Sequence, residues 1–190
     1  MRVFLYLACM KISLEYKQKT WSADLGMPLD ISIPMFASEA SVRAWYVDPL
    51  TIEPVRMGDW VGAVSAGGSV NFNTISFNPH GHGTHTECYG HISKQAVSVN
   101  KLVQQFAFVA NLVTVQPHVL ENGDRIILLE QLKDLFVDDL PKAIVIRTSP
   151  NDLDKLIKNY SNTNPTYLHH QAATWLREQG VEQLLIDTPS

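Results

Sequence analysis

The 190-residue chain carries 15 Lys and Arg against 19 Asp and Glu, a net charge of −4, and is 45% hydrophobic and 18% charged. That is enough apolar side chain for one soluble domain with a real core, and the lack of a dense Lys/Arg block excludes a phosphate-backbone binder, so nucleic acid is not an expected partner. Two cysteines, Cys9 and Cys88, exclude a disulfide framework and point to a cytoplasmic protein.

The first ten residues, MRVFLYLACM, pair one basic residue with an apolar run too short to span a membrane and without a small-residue cleavage site. Residues 1–10 therefore read as an N-terminal extension, residues 11–190 as the domain, and no membrane partner is expected. Strands are predicted over 11–16, 29–34 and 70–78, with an aromatic loop around Trp45 and Tyr46. In the third strand Val70 and Phe72 share one face while Ile75 and Phe77 share the other, so a bulge or twist is expected there. The second half alternates strands over 106–115, 125–129, 143–147 and 184–187 with helices over 130–136 and 170–179, the last closed by Gly180. The apolar runs AIVI at 143–146 and LLI at 184–186 imply crossover connections and a sheet covered by helices, which makes the fold class mixed α/β. The final residues, DTPS, follow a buried strand with no capping element, so the C-terminus reads as incomplete.

Residues 80–91, HGHGTHTECYGH, place four of the seven histidines and one carboxylate within twelve positions. Imidazole is both the commonest metal ligand and the side chain that titrates near neutrality, so such a cluster suits metal binding and proton transfer together. In an extended segment residues two apart point the same way, so His85 and Glu87 can converge on one ion. Gly81 and Gly83 permit backbone angles closed to other residues, which lets His80 or His82 reach that ion from another side. Two histidines and a carboxylate leave a coordination position for water, acidified by the ion, and hydrolysis is the natural reaction. His91, past Gly90, is placed to act as general acid or base without being a ligand. Cys88 and Tyr89 are expected to pack. The structural alternative makes these histidines ordinary hydrogen-bonded residues, and a Cys88/His nucleophilic pair lacks any oxyanion-hole signature. His118, His169 and His170 have no comparable setting; the last two stand at the start of a predicted helix.

These residues resemble the metal-dependent cyclase family that includes bacterial kynurenine formamidase and isatin hydrolase, whose hallmark is H-x-G-T-H-x-D-x-P-x-H. Here the segment reads GTH at 83–85, Glu87 and His91. The match extends to DISIP at 30–34, IVIRT at 144–148, AATWL at 172–176 and LIDTPS at 185–190. The resemblance implies a swivelling β/β/α domain with a mixed sheet, a homo-oligomer, and a small-molecule substrate. It also implies a zinc or manganese site with His85 and Glu87 as ligands and His91 as acid/base. Family substrates are amides, formamides and cyclic imides, so arylformamide hydrolysis is the leading expectation. Hydrolysis of an isatin-like imide or a lactone, and a non-catalytic binding protein that has lost its metal, are the alternatives.

Four departures stand out. The family's first histidine falls two positions before the glycine, where this chain has Gly81; a one-residue insertion makes His80 the ligand, a shift makes it His82, and His80 is preferred. The acid is Glu87 rather than aspartate, and Tyr89 replaces the proline, leaving the turn to His91 less constrained. The family's further histidine and glutamate, which complete a second metal position, have no counterpart up to Ser190, so the site is expected to be incomplete.

Overall fold

The computed structural model describes residues 10–136 and 140–189. Residues 1–9, which hold Cys9 and nearly all of the expected extension, lie outside the described residues, as does Ser190. By contacts the chain divides into two compact units, Met1–Ser32 and Ile33–Ser190.

In the first unit β1 (Lys11–Tyr16) and β2 (Lys19–Asp24) form an antiparallel hairpin with Tyr16 opposite Lys19. The two-residue loop forces positive φ on Lys17 (49°) and Gln18 (59°), the twist that matches the flanking strands. The sequence reading finds β1 but misses β2, which is mostly exposed and carries no clean alternation. Nor do residues 29–34 form the expected strand. Asp30 Oδ1 accepts from the Ser32 amide (2.8 Å) and hydroxyl (2.7 Å), and this local turn competes with extended pairing. The same bonds hold the Asp30 carboxyl below its ordinary value.

The second unit begins with two small antiparallel pairs, β3 (Thr51–Pro54) with β6 (Asn73–Ser76) and β4 (Arg56–Met57) with β5 (Trp60–Val61). The phase slip in the predicted strand over 70–78 has a concrete cause. The Phe72 amide donates to the Gly62 carbonyl and the Phe72 carbonyl accepts from Val55, both at 2.9 Å, whereas residues 73–76 pair with β3. The partner changes at residue 72, so the regular strand shrinks to four residues. A single helical turn, α1 (Val99–Leu102), precedes the second half.

There β7 (Ala110–Val115), β8 (His118–Val119), β9 (Arg125–Ile127), α2 (Leu129–Leu135), β10 (Ala143–Thr148), β11 (Tyr167–Leu168), α3 (His170–Glu178) and β12 (Gln183–Ile186) follow in order. One sheet is wholly parallel, β12-β10-β7, with Val145 paired to both Leu112 and Leu185; the other, β11-β9-β8, is mixed. Parallel neighbours require crossovers, and α2 and α3 lie on those crossovers. Alternate residues Ile144 and Ile146 of β10 and Val115 of β7 bury against Ile127, Leu132, Phe136, Ala172 and Leu176. The architecture is therefore mixed α/β, with its core between the parallel sheet and these two helices.

The helix ends follow from sequence. His169 Nδ1 accepts from the Gln171 amide at 3.3 Å and caps α3. At the other end Gly180 adopts φ 83°, with Gly180 N–H bonded to the Arg177 carbonyl and Val181 N–H to that of Leu176. That pair of hydrogen bonds is the glycine-terminated cap, and Val181 then packs on the core. Among the described residues no helix is long and apolar enough to cross a membrane.

Candidate metal centre

The site is built by a turn and a short extended run. Asn78 nucleates the turn: its side-chain Oδ1 accepts from the His80 amide (2.9 Å), and its carbonyl accepts from the amides of Gly81 (3.1 Å) and His82 (3.0 Å). Only one of the two glycines is needed for its backbone angle. Gly83 adopts φ 79°, whereas Gly81 is required for space, because a Cβ there would meet the Val47 side chain at 2.6 Å. Thr84 Oγ1 accepts from the Ile33 amide at 3.0 Å and anchors the run. After Cys88 the chain turns into a 3-10 segment, Tyr89–His91, which presents the last histidine.

This path gathers His80, His85, Glu87 and His91 around one carboxylate oxygen. Glu87 Oε2 lies 3.0 Å from His80 Nδ1, 3.7 Å from His85 Nε2 and 3.9 Å from His91 Nε2. The rings of His80 and His91 stack at 4.2 Å between centroids, and His85 meets His80 edge-on at 5.1 Å. His85 Nδ1 lies 3.1 Å from the Gly83 carbonyl; donation there leaves the Nε2 lone pair facing Glu87. His80, His85 and Glu87 each offer a donor atom within 4.8 Å of the others.

Bonds of about 2.0–2.1 Å to a tetrahedral ion set donor atoms about 3.3 Å apart. The separations of 3.0 and 3.7 Å about Glu87 Oε2, the shorter one a hydrogen bond in the ion-free site, bracket that value, and all three donor atoms lie within 4.8 Å of one another, so the group could hold a divalent cation.

His82 is placed quite differently. It is 4% exposed, its Nδ1 accepts from the Asn78 amide at 2.8 Å, and Nε2 donates to the Asp48 carbonyl at 2.8 Å. Both ring nitrogens are thus engaged with backbone, and the ring staples the turn to the 41–48 loop. His82→Ala should cost about 2–4 kcal/mol in a urea melt, by orphaning a buried N–H and C=O and leaving a hole. Metal affinity of the folded fraction should persist; loss of metal at unchanged stability would make His82 a ligand.

Cys88 packs as expected, half-buried with Sγ 3.4 Å from the Val97 carbonyl, but Tyr89 is 60% exposed and does not. The tight contact instead uses Gly90, where a Cβ would meet the Val97 carbonyl oxygen at 2.2 Å. His118 lies on the exposed β8.

Sequence reasoning misses what supports this loop. Asp187, just after β12, accepts from the Thr148 amide (2.9 Å) and hydroxyl (3.0 Å) and pairs with Lys155 Nζ at 2.8 Å. Lys155 belongs to the 3-10 turn Leu153–Leu156, and the chain then runs to residues 158–160, which bond to Arg43 on both sides. Burial, and secondarily the carboxylates of Asp187 and Asp154, push the Tyr160 phenol above its ordinary value. From Arg43 the chain enters the loop seated on the histidine turn, where the Ala44 amide donates to the Gly81 carbonyl at 2.9 Å. In that loop Trp45 and Tyr46 take φ 61° and 60°, a conformation that costs a bulky residue roughly 1–3 kcal/mol. The only sequence sign of the Asp187 link is the DT pair at 187–188; the partners of Asp187, Thr148 and Lys155, lie 39 and 32 residues upstream.

No curated protein and no solved structure matches the chain. The model of one family, described as Putative cyclase, matches residues 23–190, which include the whole histidine cluster, the parallel sheet and Asp187. With nearly the entire chain matched, and a histidine–glutamate group able to hold the metal on which that family depends, the protein belongs to the Putative cyclase family.

Proposed function

We propose that the protein is a metal-dependent hydrolase of an amide bond, of the arylformamidase type. The observation that carries this reading is the convergence of two potential ligand imidazoles and a third, His91, on a single carboxylate oxygen of Glu87 in a cyclase-family chain. In this reading His80, His85 and Glu87 hold a zinc or manganese ion. When bound, such an ion polarises a substrate carbonyl and lowers the pKa of a water molecule.

The chain's own groups do the rest. Gly83 fixes the orientation of the His85 ring through its carbonyl, and Asn78 fixes the backbone that carries His80. His91, stacked on His80, has Nε2 at 3.9 Å from Glu87 Oε2, close to the reacting centre yet outside the three-ligand group. It takes the proton from the attacking water and delivers it to the departing amine nitrogen, a role usually worth about 10²–10⁴ in rate.

The test is hydrolysis of an N-formyl aromatic amine, assayed beside a cyclic imide and a lactone. Activity on the formamide should disappear on chelation and return with zinc or manganese. Turnover indifferent to chelators sinks the proposal, and preference for the imide or lactone reassigns the substrate.

A further inference from the structure

The loop seated on the histidine turn is strained, so its conformation has to be held from outside. Trp45 and Tyr46 take φ 61° and 60° although both rings are exposed, and burial of their own side chains does not offset the unfavourable backbone. Without support such a loop relaxes, and its contacts with the turn relax with it. Those contacts bear on the metal centre. The Ala44 amide donates to the Gly81 carbonyl at 2.9 Å, one residue from His80, and the Asp48 carbonyl accepts from His82 Nε2 at 2.8 Å.

The other side of the loop is clamped by residues 158–161. The Arg43 amide donates to the Lys158 carbonyl at 3.1 Å, the Tyr160 amide to the Arg43 carbonyl at 2.8 Å, and the Tyr46 amide to Ser161 Oγ at 3.0 Å. This clamp is an irregular segment, so it is only as rigid as its own anchor. Lys155 supplies one: its Nζ lies 2.8 Å from both Thr148 Oγ1, at the end of β10, and Asp187 Oδ2, just past β12. The Lys155 and Asp187 side chains are only 18% and 28% exposed, and an ion pair so far withdrawn from water is screened less than a surface pair. Tyr160 of the clamp lies near the same carboxylate, which adds to burial in raising its phenol.

We infer that Lys155 and Asp187 are positioning residues of the metal centre: their ion pair anchors the 158–161 clamp to the parallel sheet, and the clamp holds the strained loop that fixes the backbone carrying His80. This role rests on the metal-site reading and adds to it two groups that touch neither the ion nor the substrate. Outer groups that orient ligands in this way govern metal affinity without binding metal.

Lys155→Met removes the ammonium and keeps the side-chain length, and Asp187→Asn keeps an acceptor for Thr148. Lys142→Met is the control, because Lys142 pairs with Glu182 at 2.6 Å at the opposite ends of β10 and β12. By amide hydrogen exchange, Lys155→Met and Asp187→Asn should each lose about 10-fold of protection at Ala44 and His82 beyond any change at Ile144 and Ile146 of β10. Zinc affinity, measured by calorimetry on the same folded proteins, should fall about 10-fold. The double variant should lie within about twofold of either single one, because both break one link. Lys142→Met, which removes an exposed pair, should stay within about twofold of the wild type in both measurements. Protection lost equally along β10, protection unchanged at Ala44, additive losses in the double variant, or zinc affinity that survives the loss of protection overturns the inference. If the wild type binds no zinc, the metal-site reading fails by itself, and the exchange pattern alone decides whether the ion pair holds the histidine turn.

Discussion

Glu87→Ala protein is expected to lose zinc or manganese affinity by at least about 100-fold, since losing even an outer partner of a metal ligand costs about 10–100-fold. The reason is geometric. One oxygen of Glu87 is the point on which His80, His85 and His91 converge, so its removal leaves two imidazoles with no shared anionic partner. Stability of the metal-free protein should hardly change, because the Glu87 side chain is 49% exposed and exposed ion pairs contribute about 0–1 kcal/mol. The rise in melting temperature on adding metal should vanish, since a ligand stabilises the fold only as far as it binds. Glu87→Asp, which installs the acid of the motif this segment resembles, should retain most of the affinity. Calorimetric titration of the two variants beside the wild type reads all of this. A Glu87→Ala protein that still binds one equivalent tightly removes the carboxylate from the ligand set.

His91→Ala separates proton transfer from metal holding. The variant should keep the wild-type metal content while kcat on an N-formyl aromatic amine falls by about 10²–10⁴, with KM little altered. Added imidazole should recover part of the rate, because the missing group leaves an open position: the His91 side chain is about half exposed and stacks on one face only of His80. Metal content and kcat must be measured on the same preparation. Loss of metal in step with activity would place His91 among the ligands, and a kcat within about threefold of the wild type would remove it from the mechanism.

Much of the second half of the fold was legible from sequence. Residues 143–146 and 184–186 are continuous apolar runs and pair as neighbouring parallel strands as expected, but only the first run is mostly buried: Leu184 and Leu185 of the edge strand β12 are exposed, against the buried strand expected there. Gly180 ended α3 as its position implied. The first half was far less legible: β2, β3 and β4 are short and largely exposed, and β5 is only two residues long, so no alternation betrays them, and Asp30 turned an apparent strand into a local loop. Helix and strand periodicities report burial, and where little is buried they report little.

The same division runs through the site. The sequence by itself determined that histidines and a carboxylate would crowd residues 80–91, because their spacing and the interleaved glycines leave few other arrangements. It left His80 and His82 as rivals, since both flank Gly81 and either could swing inward. Only the tertiary structure distinguished them. The Asp48 carbonyl, 34 residues upstream, captures one nitrogen of His82, while the Asn78 amide occupies the other, so His82 is spent on backbone. His80 is left facing Glu87. Likewise the chain names Trp45, Tyr46, Lys155 and Asp187 without relating them. Their connection runs through hydrogen bonds between segments far apart in sequence, and such partners are fixed by packing that no local pattern encodes.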